Sequence, residues 1–282
     1  MIHLHVHSED SMRESIIRIP DLVQQVKDFG QSAVALTDHG NMSGSMEFYM
    51  ECLKQDIKPI IGTELYVVPD VQIKEKGEKR YHLVLLALNR EGYQNLLRIS
   101  SMAGTDGFYY VPRADLTMLK KHRAGLVCLT GCISSALYME GNGMPSERLL
   151  RLLRKMYHDR VYLEIMPHTN LKEQKKHNLF MQDLANKTDT PMVITQDCHY
   201  LDSSAREAHD VLMRMQGREP YTCDLEVSEE KHIRDVLNEH HGYLSKAAVA
   251  SAMLNTRAIA AKVQPYELPI DVFQYPKFLK GE

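Results

Sequence analysis

The chain has 282 residues, 44% of them hydrophobic and 25% charged, with a formal net charge of −3, the make-up of a soluble globular protein able to bury a sizeable core. That charge excludes a strongly basic protein that coats DNA, so any contact with nucleic acid has to be local or carried by bound cations. The five cysteines are odd in number and lack zinc-ribbon or secreted-domain spacing. No apolar run reaches the length of a membrane span and the opening residues do not read as a signal peptide, so the expectation is a cytoplasmic protein.

Residues 2–7 form the first predicted element, a strand with His3, His5 and His7 on one face and Ile2, Leu4 and Val6 on the other. Three imidazoles on one face suit a metal site better than a core. Ile19-Pro20-Asp21 opens an amphipathic helix carrying Leu22, Val23, Val26 and Phe29, which Gly30 ends. A short buried strand at 33–36 runs into Thr37-Asp38-His39-Gly40, and a helix follows over 45–55. The next strand covers 58–68, where Gly62 implies a close backbone approach. A solvated loop at 74–80 leads to a strand over 81–88 and a helix over 91–102. In the second half, strands at 126–130, 161–166 and 192–195 alternate with helices at 146–157, 171–187 and 204–215. Past residue 222 the pattern changes to a helical stretch, Ala-rich at 247–261, and then a Pro-rich tail. This divides the chain into a barrel over 1–221 and a C-terminal helical segment and tail over 222–282. The strand–helix alternation predicts a parallel sheet with helices outside, and the short β-branched strands favour a barrel over an open sheet.

Polar residues recur at the strand ends or in the turns after them: His5 and His7, His39, Glu64, Cys132, then Asp197 and His199. His82 is out of step, early in its strand. In parallel α/β barrels the carboxyl-terminal rim is where reactive groups gather, so residues far apart in the chain would converge there. Nitrogen and sulfur donors with a few carboxylates suit Zn²⁺, Mn²⁺ or Fe²⁺ rather than Mg²⁺ or Ca²⁺. Such a cluster activates water and stabilises phosphoryl oxygens. Asp38 either orients an imidazole or forms an Asx turn. Asp197 and His199 alternate like His5 and His7 and are expected to share a face.

The stretches HLHVHS at the start, ALTDHGNM around His39, KPIIGTELYV around Glu64 and YHLVLLA around His82 resemble the polymerase and histidinol phosphatase (PHP) family. So do GFYYVPRAD at 107–115, LTGC ending at Cys132 and DCHYL at 197–201. The likeness is greatest to the N-terminal PHP domain of bacterial DNA polymerase III alpha subunits, and the tail through Leu268-Pro269 to Lys277-Phe278 resembles the stretch that follows that domain. The resemblance implies an α/β fold, a distorted (β/α)7 barrel of the PHP type with a C-terminal helical extension, holding up to three Zn²⁺ or Mn²⁺ ions. It implies His5, His7, His39, Glu64, His82, Cys132, Asp197 and His199 as ligands. It adds Glu14, where the alpha-subunit pattern has Asp, and Arg113 as a residue that binds substrate. His5, His7, His39, Asp197 and His199 are the expected catalytic residues.

The implied activity is a metal-dependent phosphoesterase, foremost a 3′–5′ exonuclease on DNA ends, with no polymerase active site in this chain. A small-molecule phosphatase of the histidinol-phosphate type is the alternative enzyme. A non-catalytic scaffold that docks a polymerase core, sliding clamp or proofreading subunit is the alternative from another class. An amidohydrolase barrel would want a bridging Lys at mid-barrel, and no Lys occupies a comparable strand end. No membrane partner is expected.

Overall fold

The computed structural model describes residues 1–139 and 145–268; the expected tail from Pro269 onward lies outside them. Seven strands, β1 (Ala33–Leu36), β2 (Lys58–Val67), β3 (Tyr81–Ala87), β4 (Arg113–Ala114), β5 (Leu126–Leu129), β6 (Val161–Ile165) and β7 (Met192–Ile194), form one curled sheet. Its order is β1-β2-β3-β5-β6-β7, with β4 paired to β2. Residues 3–7 close the ring. Their backbone bonds on one side to β1 (Ala35 N–H to His3 O, Thr37 N–H to Val6 O) and on the other to the chain past β7 (His7 N–H to Cys198 O, Cys198 N–H to His5 O). The expected α/β barrel is therefore present, with helices α1 (Ile19–Asp28), α2 (Ser45–Lys54), α3 (Arg90–Thr105), α4 (Leu116–Lys121), α5 (Ser146–Tyr157), α6 (Gln174–Thr188) and α7 (Arg206–Met215). Two helices, α8 (Glu230–His240) and α9 (Lys246–Lys262), follow. The short β4 and α4 have too little periodicity to be visible in sequence.

The sheet is mixed, not parallel. β3 runs antiparallel to both β2 and β5, because no crossover helix intervenes between β2 and β3, and a strand reached through a loop pairs antiparallel. The reversal explains the early position of His82. The beginning of β3 lies at the rim where its neighbours end.

An inner apolar cluster takes Ala33 and Ala35 from β1, Ile60 from β2, Val84 and Leu86 from β3, Val127 and Leu129 from β5, Tyr162 from β6 and Val193 from β7. Ile259 and Ala260 of α9, with Val263, join it. α9 seals the end opposite His82: Ile2 N–H donates to Thr256 Oγ1 (2.9 Å), Asn255 Nδ2 to Met192 O (2.7 Å) and Lys58 Nζ to Ala260 O (2.8 Å). The larger outer cluster joins strand residues to the helices, as α5 shows: Leu149, Leu150 and Leu153 are buried while Arg148, Arg151 and Arg154 face solvent. Gly62 makes the expected close approach. A Cβ there would lie 2.7 Å from Leu85 O.

The opening segment departs from simple alternation. Ile2 and Leu4 join the inner cluster but Val6 joins the outer one. A two-residue step along β1 and just past it (Ala35 to Thr37) is matched by a three-residue step along the segment (His3 to Val6), the mark of a bulge, which re-aims the side chains that follow it. His3 therefore does not share a face with His5 and His7; its Nε2 lies 3.1 Å from Ser228 O.

Candidate metal centre

The candidate ligands arrive at one rim of the sheet from several elements. The bulge turns His5 and His7 inward. Glu64 reaches in from β2, fully buried, and His39 arrives beside it through a bridge to Glu64. His82 comes from the start of β3. Asp197 sits in a left-handed conformation (φ 50°), one that an Asp tolerates better than most residues. The expected strand-like alternation of Asp197 and His199 is thus replaced by a turn, which still brings both into the cluster. His199 stacks on His7 with ring centroids 4.5 Å apart.

Three overlapping groups of donor atoms result, each with its atoms within 4.8 Å of one another: His5, His7, Glu64 and Asp197; His39, Glu64 and His82; His7, His39 and His199. Glu64 links them. Its Oε1 lies 3.0 Å from His82 Nδ1 and 3.4 Å from His5 Nε2, and its Oε2 lies 3.1 Å from His39 Nδ1 and 3.3 Å from His7 Nε2. The remaining two expected ligands flank these groups. Glu14 Oε2 is 2.8 Å from His39 Nε2, and Cys132 Sγ is 3.6 Å from His82 Nδ1.

His5 Nε2, His7 Nε2, His39 Nδ1, both Glu64 oxygens and Asp197 Oδ1 are buried without a hydrogen-bond partner of proper geometry. Buried polar atoms are otherwise nearly always paired. Six orphaned donor atoms aimed at common points are what a set of metal ligands looks like, and the donor chemistry fits a transition metal.

The outward nitrogens are held by a surrounding layer. His5 Nδ1 donates to Glu164 Oε1 (2.9 Å), a carboxylate that also accepts from Thr195 Oγ1 (2.7 Å) and from Gly131 N–H. His199 Nδ1 donates to Asp197 O (2.7 Å). His7 Nδ1 donates to Ser11 Oγ (3.0 Å), which donates to Asp38 Oδ1 (2.6 Å). Asp38 accordingly orients an imidazole through Ser11 while also accepting from Ser8 N–H (2.7 Å). In all three histidines the outward bond leaves the Nε2 lone pair facing the cluster.

Charge follows geometry. Burial opposes protonation of His5, but Asp197, Glu64 and Glu164 outweigh it and hold the imidazolium well above its usual range. Against the same burial, Asp197 and Glu64 lift His7 to about 9. Burial and the His7 charge push His199 down to about 3. Despite burial, the facing imidazoles keep Glu64 and Asp197 well below the usual carboxylate range. Protons on His5 and His7 thus stand where cations would, and a metal entering the site must displace them.

Arg113 is elsewhere. It is fully buried, and its guanidinium donates to the carbonyls of Gly107, Val71 and Ile73 (each 2.8 Å) and pairs with Glu78. Four of its five N–H donors are thus used inside the protein, and it is not among the residues that line the cleft, so this placement gives no support to the substrate-binding role expected of it. The arginines that line the cleft, a cavity of about 400 Å³ that also reaches His39, His82, Asp197 and His199, are Arg80 and Arg218. Arg218 Nη1 lies 2.8 Å from Glu14 Oε1, so that with His39 it holds the Glu14 carboxyl well below its usual range in spite of burial. Sequence reading missed Arg80, Arg218 and Glu164. An acid in the apolar strand Val161–Ile165 was the one available signal, and it belongs to Glu164.

Fold and site together define the class: an α/β barrel with a site at one rim that fits metal ions. The chain belongs to the PHP domain family, whose model matches residues 3–168. It is similar to DNA polymerase III alpha subunits, at 35% identity over 244 residues in Chlamydia pneumoniae (77% of this chain, 20% of that protein) and 39% over 230 residues in Deinococcus radiodurans (77% and 17%). The chain thus spans about a fifth of the length of the curated relatives it matches. A solved structure of a candidate metal-dependent phosphoesterase from Bifidobacterium adolescentis covers 84% of this chain and 95% of its own at 14% identity, with a TM-score of 0.46. No described helix is long and apolar enough to cross a membrane.

Proposed function

We propose that this chain is a metal-dependent phosphoesterase that releases nucleotides from DNA 3′ ends. The observation that carries the reading is the convergence of orphaned ligand atoms at the floor of a cleft whose walls hold two arginines. His5, His7, Glu64 and Asp197 would hold one ion, Glu64 and His82 with Cys132 a second, and His39 and His199 with Glu14 a third, as Zn²⁺ or Mn²⁺. When bound, such ions polarise a phosphoryl oxygen and supply hydroxide near neutral pH.

The chain's own residues do the rest. Arg80 and Arg218 offset the charge of the entering phosphate, a task that the net charge of −3 leaves to local cations. Glu164, Ser11 and the Asp197 carbonyl keep the outward nitrogens of His5, His7 and His199 occupied, so each ring presents its lone pair inward. Similarity to polymerase alpha subunits supports a replicative setting in the cytoplasm, with a polymerase core, sliding clamp or proofreading subunit as partners. The division into a barrel over 1–221 and an extension over 222–282 is part of the same proposal.

The test is incubation of the Mn²⁺-loaded chain with a 5′-labelled single-stranded oligonucleotide. Stepwise shortening from the 3′ end is expected, and its loss in Asp197→Ala and His199→Ala. Brisk hydrolysis of a small phosphomonoester with the oligonucleotide intact would replace the exonuclease with a phosphatase. Inertness toward both would leave the scaffold.

A further inference from the structure

An aromatic turn that nothing in the metal chemistry uses runs directly into Val111, a residue lining the cleft. Phe108 and Tyr110, two residues apart, are 51% and 68% exposed, unusual for large rings with a core available to bury them. Tyr109 packs edge-on against Tyr110 with centroids 4.6 Å apart. The next residue, Val111, lines the cleft, as does Arg80, whose guanidinium lies 5.9 Å from the Tyr110 ring centroid. Among the described residues Arg80 has no carboxylate partner, and its Nε is buried without a hydrogen bond.

The turn is also rigidly mounted. Tyr110 adopts a left-handed backbone (φ 64°), uncommon for an aromatic residue and sustained only when the surroundings over-determine it. The Tyr109 amide donates to Val111 O across it (3.1 Å). Buried Arg113 supplies the mounting. It bonds Gly107 O at the root of the aromatic turn and Val71 and Ile73 carbonyls in the loop that carries Arg80. Its guanidinium also lies 5.3 Å from the Tyr109 ring centroid. A Cβ at Gly107 would sit 1.9 Å from Arg113 O, so the root admits only glycine.

We propose that Phe108 and Tyr110 form a stacking platform for the bases of a single DNA strand whose 3′ end lies in the cleft, with Arg80 taking a phosphate between platform and metal centre; this rests on the phosphoesterase reading for the direction of the strand. Aromatic faces accept any base and a neighbouring arginine tracks the backbone, the combination used for single strands without sequence preference. Continuity with the cleft and an unpaired cation favour a nucleic acid over an apolar protein surface. Arg113 is a positioning residue for both carriers.

The test reads binding, not turnover. The full chain is titrated against a fluorescein-labelled oligo-dT with cleavage-resistant phosphorothioate linkages at its 3′ end, and against a strand of equal length made of abasic units. Tyr110→Ala and Phe108→Ala should each raise the Kd for oligo-dT roughly 5- to 150-fold, the range spanned by loss of one stack, while Tyr110→Phe retains it. Neither alanine variant should change the Kd for the abasic strand, whereas Arg80→Ala should weaken both strands. Melting curves matching wild type exclude misfolding as the cause. Unchanged oligo-dT affinity in the Phe108→Ala/Tyr110→Ala double variant overturns the platform. So does an equal loss on the abasic strand, or no measurable wild-type affinity for oligo-dT. A wild type that binds through Tyr110 yet releases no nucleotide supports the platform and overturns the exonuclease alone.

Discussion

Replacing Glu164 by glutamine removes one charge and almost no volume, yet it should damage the metal centre from outside it. The Glu164 carboxylate accepts from three donors: His5 Nδ1 and Thr195 Oγ1 at one oxygen, Gly131 N–H at the other. An amide has a single acceptor oxygen. If that oxygen faces His5 and Thr195, the NH₂ group meets the Gly131 N–H, which cannot turn away, and a buried unpaired donor costs about 1–3 kcal/mol. If the amide flips, its NH₂ group faces His5 Nδ1, and the imidazole can accept only by moving its proton to Nε2. That atom points at Glu64 and Asp197, where a metal needs a lone pair. Either way metal affinity should fall about 10- to 100-fold, the effect found when a carboxylate behind a ligating histidine is lost. Competition of Mn²⁺ or Zn²⁺ against a chelating dye measures it, in wild type and in E164Q. Affinity within about twofold of wild type, with the fold intact, would refute the idea that Glu164 sets the tautomer of His5.

Two further outcomes follow from the same structure. Chelation with EDTA should lower Tm by roughly 5–10 °C, because ions that bind only the native state stabilise it by mass action; an unchanged melting curve, with metal removal verified, would contradict this. His177, buried on α6, has its pKa lowered by burial from 6.5 to about 4. The unfolded chain therefore takes up this proton below pH 6.5 and the folded chain only below about 4, so stability is complete above pH 6.5 and is lost as pH falls toward 4, by up to roughly 3 kcal/mol. Urea midpoints for wild type and His177→Gln across that window isolate the contribution, since the metal ligands titrate alike in both. Parallel pH profiles would count against a neutral buried His177.

How far the sequence could be read differs between levels. Imidazoles, carboxylates and a thiol at successive strand ends were legible because chemistry-bearing residues in short apolar strands have few other uses. The convergence of His5, His39, Glu64 and His199 required only the barrel. Alternation alone could not show that His3 leaves this face, since a one-residue bulge carries no signature in composition. The direction of β3 was hidden for a related reason: residues 74–80 read as a loop, and only topology tells a hairpin from a crossover. Arg113 was expected at the substrate by resemblance alone, which says nothing of burial; its burial depends on four acceptors from three separate stretches. Glu164 needed the opposite inference, that an acid in an apolar strand holds a donor it cannot see in sequence.

The central question for this protein is whether the convergent atoms bind metal. Elemental analysis of the chain after gel filtration in chelator-free buffer measures this directly, beside a His7→Ala variant that removes an atom shared by two of the three groups. More than one transition-metal ion per wild-type chain, and a clear loss in the variant, is the predicted result. A content near zero in a folded wild-type chain that also takes up no Mn²⁺ or Zn²⁺ when these are added would contradict it.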